Sequence, residues 1–232
     1  MRDIDRLTIR ELELFSSLGD SKFDALLSAA YVQRIPPHVQ LIREGEPADF
    51  LYVVLEGAVE LYSANGIRET AMTMVTPVST FILAATIKDA PFLMSARTIE
   101  PSKLLLIPSP NIRAMFEDDA GFARAIVTEL ANCYRVVVKS MKNLKLRTTV
   151  ERVANYLLRL QVRQGGVDVL TLPMGKKLLA SILGMTPENL SRAFAVLQSH
   201  GVLVDGPRIE IIDRDALIAF AQPSPLIDDP NS

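Results

Sequence analysis

Four polar residues stand close together in one stretch: Glu188, Asn189, Ser191 and Arg192. Such side chains suit hydrogen bonding to base edges. Arg pairs bidentately with guanine, Glu accepts from the cytosine amino group, and Ser bonds to several bases. Apolar Leu190, Phe194 and Leu197, with Ala193, recur at the spacing of the opposite face of a helix over about Pro187 to Ser199. The polar set then shares the open face of the first turn and a half, where a helix-turn-helix contacts bases in the major groove. A plain reading, an exposed helix start with a capping Glu, uses the same residues. Little else in the chain suggests chemistry. There are two His, His38 and His200, and no nucleophile–base pair, phosphate loop or metal-ligand spacing, so no enzyme is expected.

The elements that would hold these residues can be read on either side. Thr186 suits an N-cap, Pro187 the first helical position, and Glu188 the positive end of the helix dipole. A preceding helix is predicted over Gly175 to Leu183, with Leu178, Leu179, Ile182 and Leu183 on one face. Gly184 closes it at a residue expected to take positive φ. Downstream, Asp205-Gly206-Pro207-Arg208 makes the tip of a two-stranded wing. Lys176, Thr186 and Arg208 join the four polar residues as expected DNA contacts, Arg208 to phosphate.

The residues Gly184, Thr186, Glu188, Ser191, Arg192, Leu197 and Gly201 form the pattern G-x-[ST]-x-E-x-x-S-R followed by L and G. This resembles the recognition helix of the CRP/FNR superfamily of bacterial transcription regulators. The Glu-x-x-Ser-Arg core is similar to the fumarate and nitrate reduction subgroup, which implies a palindrome of TTGAT-type half-sites. Pro187 stands where the cAMP-receptor members have an Arg, so that contact is lost. The resemblance covers roughly residues 10–220. It implies a homodimer on double-stranded DNA, working with RNA polymerase.

Composition sets the outer bounds. A length of 232 residues allows two small domains, and no apolar run is as long as a membrane span. The charged start, MRDIDRLTIRELEL, has no secretory core, and a cytoplasmic protein is expected. Residues 1–138 carry 13 Lys and Arg against 18 Asp and Glu, whereas residues 139–232 carry 12 against 9. The basic excess falls on the part expected to face phosphates. One cysteine, Cys133, excludes an intrachain disulfide and an iron–sulfur cluster held by four thiolates.

The expected architecture is α+β in four parts. Residues 1–110 are a sensor domain of the cyclic-nucleotide-binding β-roll type, 111–147 a dimerisation helix and hinge, 148–221 a winged helix-turn-helix, and 222–232 a disordered tail. In the first part, short helices over 5–30 precede strands at Val39–Arg43, Leu51–Leu55, Ala58–Tyr62, Thr70–Val75 and Lys103–Ile107, with turns at Gly45, Gly57 and Asn65-Gly66. In the second, Leu130, Val137 and Leu144 recur every seven residues. Ile126 and Cys133 lie on one flank, Val127, Tyr134 and Met141 on the other. The dimer seam is expected at Ile126, Leu130, Cys133, Val137, Met141 and Leu144. Burial of this helix on its own barrel is the competing reading.

The effector stretch FILAATIKDAPFLMS (81–95) departs from the cAMP-receptor pattern. Leu83 and Ala84 replace a Gly and a Glu, and Met94 replaces the phosphate-binding Arg before Ser95. Arg97 shares a strand face with Ser95, so cAMP is not expected as ligand. Phe81, Leu83, Ala84, Phe92, Met94, Ser95 and Arg97 are the candidate pocket. It is either ordinary core or a hydrophobic effector cavity. The Thr80 to Ala84 and 89–91 stretches are similar to the cluster-free branch of the family that senses nitric oxide in denitrifying bacteria, which would make haem the cofactor and His38 an iron ligand. A cyclic-nucleotide-binding regulatory protein answering cAMP or cGMP is the alternative to this function.

Overall fold

The computed structural model describes residues 3–229. The chain divides into two compact units, 1–133 and 134–232.

The first unit opens with α1 (Asp3–Arg10), α2 (Glu13–Ser16) and α3 (Asp20–Ser28). Eight strands follow: β1 (Tyr31–Ile35), β2 (Gln40–Ile42), β3 (Phe50–Glu56), β4 (Val59–Asn65), β5 (Arg68–Val75), β6 (Ser79–Phe81), β7 (Ser95–Thr98) and β8 (Ser102–Pro108). α4 (Leu83–Lys88) lies between β6 and β7. The strands form two antiparallel four-stranded sheets, β1-β8-β3-β6 and β2-β7-β4-β5. This is the expected roll. Its β3 and β8 are buried on both faces, which is why FLYVVLE and KLLLIP read as apolar runs without alternation. Val54, Phe81 and Leu104 of the first sheet share a cluster with Val59, Leu61 and Ala96 of the second. Leu51, Val53, Leu105 and Ile107 lie instead in a cluster with Phe15, Phe23, Ile112 and Phe122 from the helices. Gly57 turns β3 into β4 at φ +84°, and a Cβ there would stand 2.5 Å from the Pro101 carbonyl oxygen, so only Gly fits. Strands β1, β6 and β7 and helix α4 were not expected; they are short or lack clean alternation.

The single element expected over 111–147 is two helices, α5 (Ser109–Asp118) and α6 (Ala120–Leu146). Asp119 separates them. Its carboxylate accepts the Phe122 N–H at 2.9 Å and Lys22 at 3.0 Å, which caps the start of α6.

The second unit contains the C-terminal part of α6, then α7 (Thr149–Arg163), β9 (Val169–Thr171), α8 (Lys176–Ile182), α9 (Pro187–Leu197), a 3-10 turn (Gln198–His200), β10 (Val202–Asp205), β11 (Arg208–Ile211) and α10 (Arg214–Ala221). The three strands form one antiparallel sheet, β10-β11-β9. Val153, Leu157, Leu179, Leu190, Phe194, Leu197 and Ile209 share one core.

The tail expected to be disordered is ordered through residue 229. Pro225–Asp228 form a short helix, α11. The Asp228 carboxylate receives Arg147 twice, at 2.8 and 2.5 Å, and Arg159 at 2.5 Å. Two guanidinium groups on one carboxylate outweigh the conformational freedom of a Pro-rich segment. Residues 230–232 lie outside the described residues.

Candidate nucleic-acid interface

α8 and α9 meet through a turn whose parts are each specified locally. The Gly184 N–H bonds to the Ser181 carbonyl at 2.9 Å, and the Met185 N–H to that of Ala180 at 2.9 Å. Gly184 takes φ +66°, the left-handed conformation expected of it. A Cβ there would come 2.6 Å from the Leu144 side chain of α6. Thr186 caps α9: its hydroxyl accepts the Asn189 N–H at 3.3 Å. Pro187 occupies the first turn.

Leu190, Ala193, Phe194 and Leu197 are buried, and Thr186, Glu188, Ser191 and Arg192 are exposed. Asn189 is half-buried. The polar face of α9 is therefore assembled and open. The Glu188 carboxyl is held below the ordinary carboxylate range by its own backbone N–H, then by the Thr186 hydroxyl and the nearby Arg192. It is an acceptor at neutral pH, as a cytosine amino group requires. Ser191 donates to the Pro187 carbonyl at 3.0 Å, which leaves its oxygen lone pairs to accept.

The two other cations differ from each other. Arg208 is exposed at the wing tip, paired across the strands with Asp205. Lys176 is half-buried, with its ammonium 5.5 Å from the centroid of the Phe194 ring. Part of its side chain packs against α9.

A buried arginine holds this assembly, and the sequence reading missed it. Arg152 on α7 donates to the carbonyls of Leu183 at 2.9 Å, Arg147 at 3.0 Å, Gly184 at 3.3 Å and Leu144 at 3.4 Å. It thereby closes the C-terminal ends of α6 and α8 at once. α7 begins with a capping box, in which the Thr148 hydroxyl accepts the Glu151 N–H and the Glu151 carboxylate accepts the Thr148 N–H at 2.7 Å. The pattern T-x-x-E at 148–151 was the available signal for it. Arg152 gave none, because it is one of several charged residues on α7, with Glu151, Arg159 and Arg163.

The residues named for an effector pocket do not share one lining, which corrects that expectation. Phe81, Phe92 and Met94 belong to the interior of the roll. Leu83 belongs to the cluster on the helix side, and Ala84 is exposed. The Ser95 hydroxyl accepts the Glu44 N–H at 3.0 Å. Arg97 is bound by Glu60 and Glu69, each at 2.6 Å, and lies over the Tyr62 ring. Strand alternation places it opposite Ala96, which faces the interior. His38 stands exposed in the turn between β1 and β2 with φ +62°, and is not among the residues of that interior. These residues do not fit a haem site.

One residue of the expected dimer seam lies elsewhere. Ile126 is fully buried in the core of its own unit. Leu130 is half-buried, and Cys133, Val137, Met141 and Leu144 are exposed, as are Val127 and Tyr134 on the flank. Among the described residues, no helix is long and apolar enough to cross a membrane.

Comparison with known proteins agrees with this architecture. Residues 32–119 match the cyclic nucleotide-binding domain, and residues 151–220 the Crp-like helix-turn-helix domain. A solved structure of a regulatory protein from Silicibacter pomeroyi DSS-3, named for cAMP binding, is 30% identical. That match covers 96% of this chain and 100% of the other, with a TM-score of 0.60. The CRP-like cAMP-activated global transcriptional regulator of Mycobacterium tuberculosis is 24% identical over 215 residues, covering 90% of this chain and 96% of its own. The transcriptional activator protein anr of Pseudomonas aeruginosa is 24% identical over 186 residues, covering 78% of this chain and 76% of its own. With an exposed polar face on the second helix of its helix-turn-helix and matches that span both units, the chain belongs to the CRP/FNR family of DNA-binding transcription regulators.

Proposed function

We propose that the protein acts as a homodimer on a palindrome of TTGAT-like half-sites, with α9 of each copy in the major groove and Arg208 of each wing on phosphate. The observation that carries this reading is the exposed row Glu188, Ser191 and Arg192 above a fully buried apolar face. Dimerisation rests on α6, where Val127, Leu130, Tyr134, Val137, Met141 and Leu144 alternate at spacings of three and four residues. Five of the six are exposed within the chain. A cytoplasmic location and RNA polymerase as partner follow from this role.

For the sensor domain we infer an effector other than cAMP. Uncharged Met94 occupies the position of the phosphate-binding Arg, and the Arg97 guanidinium is already paired with two carboxylates, Glu60 and Glu69. The rival reading, a cyclic-nucleotide response, is favoured by the matched domain and the names of two relatives. Calorimetric titration with cAMP and cGMP separates the two, because sub-millimolar binding would contradict the pocket argument. The DNA reading is tested by fluorescence anisotropy on a TTGAT-N4-ATCAA duplex against a scrambled one. Equal affinity for both would refute the half-site assignment.

A further inference from the structure

The second unit holds a cavity of about 610 Å³ that the DNA-binding role does not use. It lies between the C-terminal part of α6, α7, the end of α8 and the α11 segment. Its walls are mainly apolar, with Val136, Leu158, Val162, Ile182 and Ile227 among them. Its size is in the range of small-molecule sites.

Three observations describe what would fit. Lys139, Arg159 and Arg163 line the cavity with Asp228 and Asp229, and Asp228 pairs with Arg159 and with Arg147. Arg163 is exposed over the Tyr156 ring, 5.9 Å from its centroid, with no carboxylate partner among the described residues. Tyr156 is itself a wall residue, and its hydroxyl is buried with no hydrogen-bond partner. A buried donor without an acceptor is costly unless something completes it. The third observation is that the chain already places a carboxylate here. Asp228 takes both nitrogens of Arg147 and one of Arg159, and accepts the Ser224 N–H at 2.7 Å. The fork therefore recognises a carboxylate with an aliphatic neighbour, Ile227, inside the cavity.

We propose that this cavity binds a small carboxylic acid with an apolar body, which competes with Asp228 for the arginines and takes the Tyr156 hydroxyl. The α11 segment is the tethered competitor. A bound acid releases it from Arg147, at the junction of α6 and α7.

Isothermal titration calorimetry of the full chain with octanoate tests this, with octanamide as the uncharged control. One octanoate per chain is expected, with a Kd of about 10⁻⁴ M, the order that ten or so heavy atoms allow. Octanamide should not bind at the same concentrations. Asp228→Asn removes the internal competitor and should tighten octanoate about tenfold, whereas Arg163→Gln should weaken it about tenfold. Arg163 is exposed, so its replacement leaves the core intact if Asp228→Asn disturbs the tail. No saturable octanoate binding by either the wild type or Asp228→Asn would overturn the proposal. Equal binding of octanamide, or an unchanged Kd in Asp228→Asn, would overturn it as well. The readout needs no DNA, so it stands or falls separately from the half-site assignment.

Discussion

Replacing Arg152 with Met removes a guanidinium that four carbonyls share, and keeps a side chain of similar length. Two of its bonds are well formed, to Leu183 at 2.9 Å and Arg147 at 3.0 Å, and two are long, to Gly184 at 3.3 Å and Leu144 at 3.4 Å. A hydrogen bond to a charged donor contributes about 1.5 kcal/mol at the lower end, so the two short ones amount to about 3 kcal/mol. The long ones add little. Met avoids burying a charge that no carboxylate among the described residues neutralises, which offsets about 1 kcal/mol. The net loss is then about 2 kcal/mol, or about a thirtyfold change in the opening equilibrium. Native-state hydrogen exchange is the suitable assay, because two units need not unfold together. The Gly184 and Met185 amides, bonded to Ser181 and Ala180, should exchange about thirtyfold faster. Core amides of the first unit should not change. Exchange at Gly184 and Met185 within a factor of two of wild type would refute the claim that Arg152 holds the turn.

Four further outcomes are expected. Arg192→Ala should cost about 1–3 kcal/mol on the specific duplex and blunt the preference for guanine, and unchanged discrimination in anisotropy would sink the base-reading role. Thr186→Ala leaves the Asn189 N–H without its acceptor, and urea unfolding of the second unit should show a loss of about 1 kcal/mol. Val137→Arg places a charge at an exposed seam position, so sedimentation should report a monomer while circular dichroism retains the helix content. Asp228 gives a pH effect of known sign. Burial alone would raise its carboxyl, but Arg147, the Ser224 N–H and Arg159 hold it below the ordinary range. Its contribution is present above the unfolded value of about 3.9 and lost as pH falls through the lower folded value. Urea stability of wild type minus that of Asp228→Asn should therefore be flat above about pH 5 and shrink below about pH 4; a difference that grows on acidification would contradict the ion-pair assignment.

How much was legible depended on whether a signal was local. Thr186, Pro187, Gly184 and the spacing of Leu190, Phe194 and Leu197 are written within a dozen residues, and the structure follows them closely. The apolar row on α6 was read from its period, but the period could not tell that Ile126 points into its own core. That depends on Phe15 and Phe122, which no local pattern brings together. The pocket reading failed for the same reason. Phe81 and Leu83 are two residues apart, yet Ile82 at φ +70° sends the chain from a strand into α4, and the two side chains part to different clusters. The tail failed through composition, because QPSPLIDDP is rich in Pro and Asp, while its order comes from Arg147 and Arg159 far upstream.

The open apolar row on α6 has a bearing on dosage. A helix that exposes Tyr134, Val137, Met141 and Leu144 is poorly served by water, and pairing scales with the square of the amount of chain present. Under the proposed dimer, a promoter answering to this regulator would respond steeply to how much of the protein a cell makes. Synthesis and turnover of the chain would then be inputs in their own right, alongside any effector of the roll.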